Sequence, residues 1–436
     1  MSSTDAWLLR RVEIDGREVD CRIRGGTVVE VGRDLPGGGE RLLDAEGGAL
    51  LPGLADHHLH AFALAAARAS FDLGGSPDLG LAPEGDGGWL RIVGAGRELR
   101  RADLDRCWPD SPARVQHRSG ALWTLNSAAV DLLAEGLGAE EAESGQIWRG
   151  DERLGRLLER AGARGGVDLQ ALGDELLRLG ITHVTDASPD LTEDDLGRLG
   201  EALPQHLLSL SDRGAGPRKI VLADHVEQDL GELAARIERC HDEGRPVAIH
   251  TVTDLTLALC LAAFDAVGAL PGDRLEHAAV CDDAAATRIA ALGLTVVTQP
   301  TIFSRHREAF LRETPPERRP DLWRYAGLLE AGIAVAASSD APYGDVEPGA
   351  TIRAAARRAA ESVAPATVLA SLLSEPLDPA GPPRRVEPGA AADLCLLDRP
   401  LAAALAAAAA SARWRPVATF VEGTPRHLQV PVQESD

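Results

Sequence analysis

The sequence is almost without lysine: Lys219 is the only one, although lysine and arginine together number 45. Every other basic residue is arginine, which indicates a coding bias that replaces lysine wherever a positive charge is enough. An amine can lose its proton and react as a nucleophile, whereas a guanidinium cannot. Unless it is a chance survivor, Lys219 therefore marks a position where amine chemistry is needed.

Other features are also scarce, and each shortage excludes a class of protein. No apolar run is long enough to cross a membrane, and the N-terminal segment MSSTDAWLLRRVEIDG has no apolar signal sequence. The six cysteines form no C-x-x-C pair, so we expect reduced, mostly buried thiols in a cytoplasmic protein. A net charge of -22 argues against a nucleic-acid partner. We expect a small-molecule substrate and leave a homo-oligomer open.

From about residue 50 the chain alternates apolar strands with amphipathic helices, which is typical of a parallel β/α architecture. Eight candidate strands can be counted, the number that closes a TIM-type (β/α)8 barrel. The candidate strands are residues 49–60, 113–117, 181–186, 219–223, 247–250, 274–277, 294–299 and 333–340.

The two ends of the chain differ in texture from its middle. Short strands and tight turns at both ends predict one small composite β-domain, a β-sandwich, built from residues 1–50 and 385–436. The barrel is then expected over residues 51–384. The Gly- and Pro-rich segment 61–110 is expected to be a long loop insertion that shapes the binding site.

The first candidate strand ends in a polar cluster, Asp56, His57, His58 and His60. Alternate side chains of a strand share a face, so Asp56, His58 and His60 point one way and His57 the other. Two imidazoles at i and i+2 can bind one cation such as zinc from one side. A histidine-rich loop without metal is the plain alternative for an isolated H-x-H motif.

Further polar residues lie at or near the other strands, and in a barrel the carboxyl ends of the strands meet at one rim. The six residues expected to converge are His58, His60, Lys219, His250, His277 and Asp340. Lys219 begins its apolar run rather than ending it. Four neutral imidazoles and a carboxylate can hold two divalent cations, and a lysine that has reacted with CO2 forms a carbamate able to bridge them. A hydroxide activated by the metals would be the nucleophile, with Asp340 as the proton shuttle.

Ordered motifs along almost the whole chain carry a resemblance to a known family. They are Pro52-Gly53 with Asp56-x-His58-x-His60, Gly88-Trp89, Arg101-x-Asp-Leu-Asp105, Leu125-Asn126-Ser127, Gly180-Ile-Thr182, Lys219-Ile-x-x-x-Asp224, Val247-Ala-Ile-His250, Leu275-Glu-His277, Gln299-Pro300, Ser339-Asp340-Ala-Pro342 and Glu387-Pro-Gly-x-x-Ala-Asp393. Together they resemble the amidohydrolase superfamily, specifically amidohydrolase family 3 with its N-substituted formamide deformylase-like proteins. The resemblance implies that the six residues are the metal-site positions and that Asp340 transfers the proton.

The sequence departs from this family at positions near the expected pocket: His225 stands where glycine is usual, Ala121 where histidine is usual, and Thr253-Asp254 where Gly-Asp is usual. These departures bear on the substrate more than on the metal chemistry.

The remaining candidates for the pocket are weaker. Trp89, His117 and Trp123 are candidate substrate-binding residues, although packing accounts equally well or better for each. His183 and His225 have no spacing argument and are expected to be structural. Glu276 is expected to point away from the barrel interior.

The sequence thus predicts a metal-dependent hydrolase of an amide, N-acyl, N-formyl or cyclic amide C–N bond. The expected cofactors are one or two divalent metals, zinc by preference, and a CO2-derived carbamate on Lys219. The alternatives are a mononuclear deaminase of the same superfamily, in which Lys219 is unmodified, and a metal-binding relative that has lost catalysis.

Overall fold

The structure is a computed structural model that describes residues 6–85, 88–118, 121–148, 150–162, 167–222, 229–411 and 413–434. The chain divides into two compact units, one formed by Met1–Ala61 with Leu169–Asp436 and the other by Phe62–Asp168. No helix among the described residues is both long enough and apolar enough to cross a membrane.

Strands occur along the whole described chain. They are β1 (Ala6–Ile14), β2 (Arg17–Arg24), β3 (Thr27–Gly32), β4 (Arg41–Asp44), β5 (Leu50–Pro52), β6 (Leu54–Leu59), β7 (Phe71–Asp72), β8 (Leu90–Ala95), β9 (Ala113–His117), β10 (Leu122–Leu125), β11 (Gln146–Trp148), β12 (Ile181–Asp186), β13 (His206–Ser209), β14 (Arg218–Val221), β15 (Val247–Thr251), β16 (Arg274–His277), β17 (Thr295–Thr298), β18 (Val335–Ala337), β19 (Leu394–Leu397), β20 (Pro416–Val421), β21 (Thr424–Leu428) and β22 (Val432–Glu434).

Helices alternate with the later strands. They are α1 (Ala61–Arg68), α2 (Arg101–Cys107), α3 (Ser127–Leu133), α4 (Ala139–Ser144), α5 (Asp151–Arg160), α6 (Leu169–Arg178), α7 (Glu193–Ala202), α8 (Leu230–Asp242), α9 (Asp254–Val267), α10 (Asp283–Leu292), α11 (Pro300–Glu313), α12 (Tyr325–Glu330), α13 (Pro348–Ala356), α14 (Pro365–Leu372) and α15 (Leu401–Ala410).

The larger unit contains two parallel sheets, a three-stranded one in the order β13-β12-β6 and a five-stranded one in the order β14-β15-β16-β17-β18. Most residues of their strands are buried, as expected for parallel strands covered on both faces, and polar side chains are common among them. Polar caps start the intervening helices: the side chains of Asp229, Thr253 and Asp282 accept hydrogen bonds from the first turns of α8, α9 and α10. Each such cap stabilises its helix by about 1 kcal/mol.

Strands from both ends of the chain pair with each other. One sheet has the order β22-β4-β1-β2-β3, and another has the order β21-β20-β19-β5. A shared apolar core joins residues of the two ends, and within it Trp7 meets Phe420 edge-on with ring centroids 5.6 Å apart. This shared burial explains why segments so distant in sequence pack together.

The second unit has its own sheet, in the order β11-β10-β9-β8-β7, and its own apolar clusters. Two expectations from the sequence therefore change. Residues 61–110 contain helices and strands rather than one long loop, because the Gly and Pro residues mark turns between short elements. Residues 113–117 form β9 of this sheet and not a strand of the larger unit. The parallel sheets of the larger unit instead include β13, a half-buried four-residue strand that the sequence did not indicate.

Candidate metal centre

The histidine pair lies where β6 ends. His58 is fully buried inside the strand, while His60 follows it and its side chain is 21% exposed. The carboxylate of Asp56 accepts backbone hydrogen bonds from His58 N (3.2 Å) and Ser339 N (3.1 Å). His57 points the other way, as predicted, and its Nε2 lies 2.7 Å from the carbonyl oxygen of Ser371. Strand alternation thus selects which histidines share a face.

Asp340 reaches the histidine pair from the loop after β18. Backbone bonds hold it there, since Asp340 N donates to His58 O (2.7 Å) and His60 N to Ala341 O (2.9 Å). Asp340 Oδ1 lies 3.5 Å from His58 Nε2 and 3.3 Å from His60 Nε2. Its backbone is in the left-handed region, with φ of 51°. Such strain in a residue with a side chain is common at functional sites.

The other three predicted residues are near the same point. Lys219 Nζ lies 3.3 Å from His58 Nε2, and His277 Nδ1 lies 3.8 Å from Asp340 Oδ2. The His277 ring centroid is 5.1 Å from that of His58 and 4.6 Å from that of His250. The structure therefore brings all six predicted residues together, although they come from distant parts of the chain.

Burial sets the charge state of this cluster. It lowers the pKa of His58 and His277 well below the usual histidine value and that of His250 to about 4. Burial also lowers the pKa of Lys219, despite the opposing effect of the Glu276 carboxylate. Desolvation disfavours the charged form of each of these bases. Neutral imidazoles are the form of histidine that binds metal ions.

Glu276 joins the cluster, although the sequence did not predict it there. It was expected to point away from the interior, but its Oε2 contacts His58 Nδ1 and both side chains are buried. Arg274 Nε in turn donates to Glu276 Oε1 at 2.6 Å. Since His58 Nδ1–H donates to the carboxylate, His58 Nε2 carries the lone pair of the ring, and Lys219 Nζ and Asp340 Oδ1 both lie near it. The available signal was the pair of charged residues at i and i+2 in a buried strand.

Gln299 orients His277 in a similar way. Gln299 Oε1 lies 2.7 Å from His277 Nδ1, while Gln299 Nε2 donates to Val297 O and Ser338 Oγ. The amide orientation thus makes Oε1 an acceptor, so His277 Nδ1–H donates to it. His277 itself has φ of 74°, in the left-handed region, at the end of β16.

The donor set fits a divalent cation. Asp340 Oδ1 is buried and has no hydrogen-bond partner among the described residues, although two imidazole nitrogens face it. A buried carboxylate oxygen facing a lone pair is unfavourable unless a positive charge lies nearby. His58, His277 and Asp340 offer ligand atoms that all lie within 4.8 Å of one another. Imidazole and carboxylate donors of this kind suit zinc.

Comparison with known proteins agrees with this chemistry. A model of the amidohydrolase family matches residues 41–427. The chain belongs to the amidohydrolase family. It is therefore an amidohydrolase, an enzyme that acts on carbon–nitrogen bonds other than peptide bonds. The resemblance indicated by the sequence motifs is confirmed.

Individual relatives of this amidohydrolase are distant but cover nearly its full length. N-substituted formamide deformylase of Arthrobacter pascens is 24% identical over 498 aligned residues, covering 88% of this chain and 92% of the relative. An uncharacterized metal-dependent hydrolase of Pyrococcus furiosus has a similar fold, with a TM-score of 0.73 at 19% identity, covering 90% of this chain and 99% of that one. N-isopropylammelide isopropylaminohydrolase of Burkholderia multivorans has a TM-score of 0.58 at 16% identity, covering 97% and 98%.

Three weaker candidates of the amidohydrolase lie in its second unit. Trp89 precedes β8, His117 ends β9, and Trp123 is 3% exposed in β10. The Arg114 guanidinium lies 6.0 Å from the Trp89 ring centroid and 5.7 Å from that of Trp123. These contacts are packing within the unit, and a role in substrate binding stays a prediction.

Three other positions singled out in the sequence are His183, Asp224 and His225. His183 of the amidohydrolase contacts Thr182 Oγ1 at 2.8 Å and Arg384 Nη1 at 3.0 Å, in keeping with the structural role expected for it. His225 and Asp224 lie outside the described residues.

Proposed function

We propose that this amidohydrolase hydrolyses a C–N bond of a small amide, N-acyl, N-formyl or cyclic amide substrate at a divalent metal centre. The observation that carries the proposal is the buried Asp340 Oδ1, which faces His58 and His60 without a hydrogen bond among the described residues. The names of the deformylase and the isopropylaminohydrolase relatives, both of which act on C–N bonds, support this substrate class.

A closed TIM-type barrel is the fold we propose for the site. The three-stranded and five-stranded parallel sheets together supply the strand number of such a barrel. Backbone bonds link the sheets on both sides: Lys219 N donates to Leu210 O at 2.8 Å beside β14, and Asp340 N donates to His58 O beside β6. The paired sheets of the chain ends support a β-sandwich in the same way.

The six residues would hold the metal, for which zinc is our preferred identity. When bound, such a cation lowers the pKa of water to near neutrality and so supplies the nucleophile. His58 is held by Glu276 and His277 by Gln299, so each ring keeps one tautomer and one orientation. Asp340 would accept a proton at its carboxylate and deliver it to the leaving nitrogen, because its Oδ1 has no hydrogen-bond partner among the described residues while its backbone is fixed.

Lys219 would act as a carbamate. Its amine nitrogen would form a bond to CO2 and release a proton, which leaves two oxygens in place of the ammonium. The reaction needs the uncharged amine, and burial favours that form by lowering the Lys219 pKa. Arginine could not be modified in this way, which would explain the single lysine in the sequence.

A mononuclear deaminase is the second candidate. The ligand atoms of His58, His277 and Asp340 form one compact group, which suits a single ion. Lys219 would then remain an amine that donates a hydrogen bond, and its Nζ lies 3.3 Å from His58 Nε2.

Metal analysis combined with product analysis separates these candidates. The purified protein would be assayed with N-formyl and N-acyl amines, cyclic amides and amino-substituted heterocycles, and its metal content measured by mass spectrometry. About two metals per chain and release of a carboxylate from an amide support the proposal. One metal and release of ammonia from a heterocycle support the deaminase. Protein that takes up no divalent metal would contradict both.

A further inference from the structure

A cavity of about 970 Å³ lies between α11 and the end of α13 in the larger unit. Its wall is rich in arginine and contains one carboxylate, that of Asp345. The five arginines are Arg305, Arg307, Arg353, Arg357 and Arg358. The concentration of positive charge is unusual because the protein as a whole carries a net charge of -22.

Carboxylates near this arginine cavity, such as Glu361, act on its charges only from beyond ion-pair distance. Within the described part of the chain, none of its five guanidinium groups forms an ion pair with a carboxylate. Arg358 is partly buried, and its pKa is lowered to about 10 by burial and by the nearby Arg307, although Glu361 opposes the shift. Like charges repel one another, and an anion that entered the cavity would relieve this repulsion most at the partly buried Arg358, since water screens the exposed Arg305 and Arg307.

Two of the five groups are fixed in position. Arg358 stacks on Phe303, with its Cζ 4.0 Å from the ring centroid, and donates to two backbone carbonyls. Arg357 donates to Ala410 O at 2.8 Å and to Ala409 O at 3.1 Å, at the C-terminal end of α15. Carbonyl oxygens satisfy N–H groups but do not remove the charge. These arginines therefore present preorganised positive charge to the cavity.

We propose that this arginine cavity binds a small molecule that carries two or more anionic groups, either phosphates or carboxylates. The guanidinium fork matches both groups in shape and charge. The cavity volume is within the range of sites for small ligands. The inference does not depend on the proposed reaction, because its residues are distinct from the six of the metal centre.

Titration calorimetry at low ionic strength tests the site. Inorganic pyrophosphate represents phosphate ligands and propane-1,2,3-tricarboxylate represents carboxylates, so the better binder identifies the source. We expect saturable binding of one molecule per chain. Arg307→Ala and Arg353→Ala should each weaken binding about tenfold, as expected for loss of a charged hydrogen bond.

Three controls accompany the binding measurement. Arg312→Ala removes an exposed charge from α11, the helix that carries Arg307. Arg312 pairs with Glu313 outside the cavity, so this variant should leave binding unchanged. Asp340→Asn should also leave binding unchanged, since it tests whether the anion sits on the metal instead. Circular dichroism of each variant checks its fold.

Binding that is equal in wild type and in both cavity variants would overturn the proposal, as would binding abolished by Asp340→Asn. Sodium chloride is titrated at equal ionic strength for comparison. If it gave the same heat change as the polyanions, the proposal would also be overturned, because charge screening alone would then explain the signal.

Discussion

Two His–His–Asp groups in the larger unit can be compared directly. His58, His277 and Asp340 form one, and His183, His206 and Asp393 form the other; in each, the ligand atoms lie within 4.8 Å of one another. In the second group Asp393 accepts from His206 Nε2 (3.1 Å) and from the backbone of Glu422 (2.8 Å). In the first, Asp340 Oδ1 has no such partner among the described residues.

The two groups also differ in the basic side chain that contacts a histidine. Arg384 Nη1 lies 3.0 Å from His183 Nδ1, and burial together with this arginine lowers the pKa of His183 to about 3. A guanidinium keeps its charge and so repels a metal ion from the histidine nitrogen it contacts, whereas the Lys219 amine beside His58 Nε2 can lose its proton. Identical residue types thus make a candidate metal centre in one place and a structural polar network in the other. What decides is whether the carboxylate is already paired and whether the neighbouring base can lose its charge.

The largest effect is expected when the aspartate of each group is replaced by asparagine. Asp340→Asn should lower kcat/KM by about 10³-fold, because it removes both a charged ligand and the proton-transfer group. Asp393→Asn should leave metal content unchanged and lower only stability. Kinetics and metal analysis of both variants provide the measurement, with exposed Asp242→Asn as the control. Equal metal loss in the two variants would remove the distinction between the groups.

Substitution of Lys219 should have the next largest effect. Lys219→Arg and Lys219→Ala should both lose metal and about 10²-fold in activity, because neither side chain can carry a carbamate. Added formate or acetate should restore part of the activity of Lys219→Ala by supplying the missing carboxylate. Full activity of Lys219→Arg would rule out the carbamate.

Glu276→Gln should have a smaller effect on the same centre. The amide can still accept a hydrogen bond from His58 but without charge, so metal affinity should fall about 10- to 100-fold. Competition with a chelating dye measures the affinity. Glu330→Gln, an exposed change on α12, is the matched control, and an affinity equal to that of wild type would show that the contact is not used.

The smallest expected effect is the pH dependence of the stability that the second group contributes. A hydrogen bond to Asp393 raises the pKa of His206, with Glu422 adding to the shift and burial and Arg384 opposing it. A raised histidine pKa contributes stability that is present below the unfolded value and is lost as pH rises through the folded pKa. The difference in unfolding free energy between wild type and His206→Gln should therefore be larger at pH 6 than at pH 8.

Chemical denaturation at both pH values measures this difference. The pKa of His183 is lowered to about 3, so this neighbour is neutral in the folded wild type at both pH values. A difference that grows toward pH 8 would contradict the assigned pairing.

The sequence was sufficient to predict that the six residues of the candidate centre lie together, because each stands out by residue type and lies near a strand end. It was not sufficient for Glu276, whose role depends on burial beside a strand that is distant in sequence. β13 escaped notice because it is short and only half-buried. Residues 113–117 have the pattern of a strand, but a pattern alone cannot say which sheet a strand joins.

The pairing of β5 with β19 has a consequence for how the enzyme is made. Leu51 lies opposite Cys395, so β5, the strand before the one that carries His58, gains its sheet partner only after β19 has left the ribosome. We expect stalled nascent chains that end before β19 to remain protease-sensitive around β5, and chains that include β19 to be protected there.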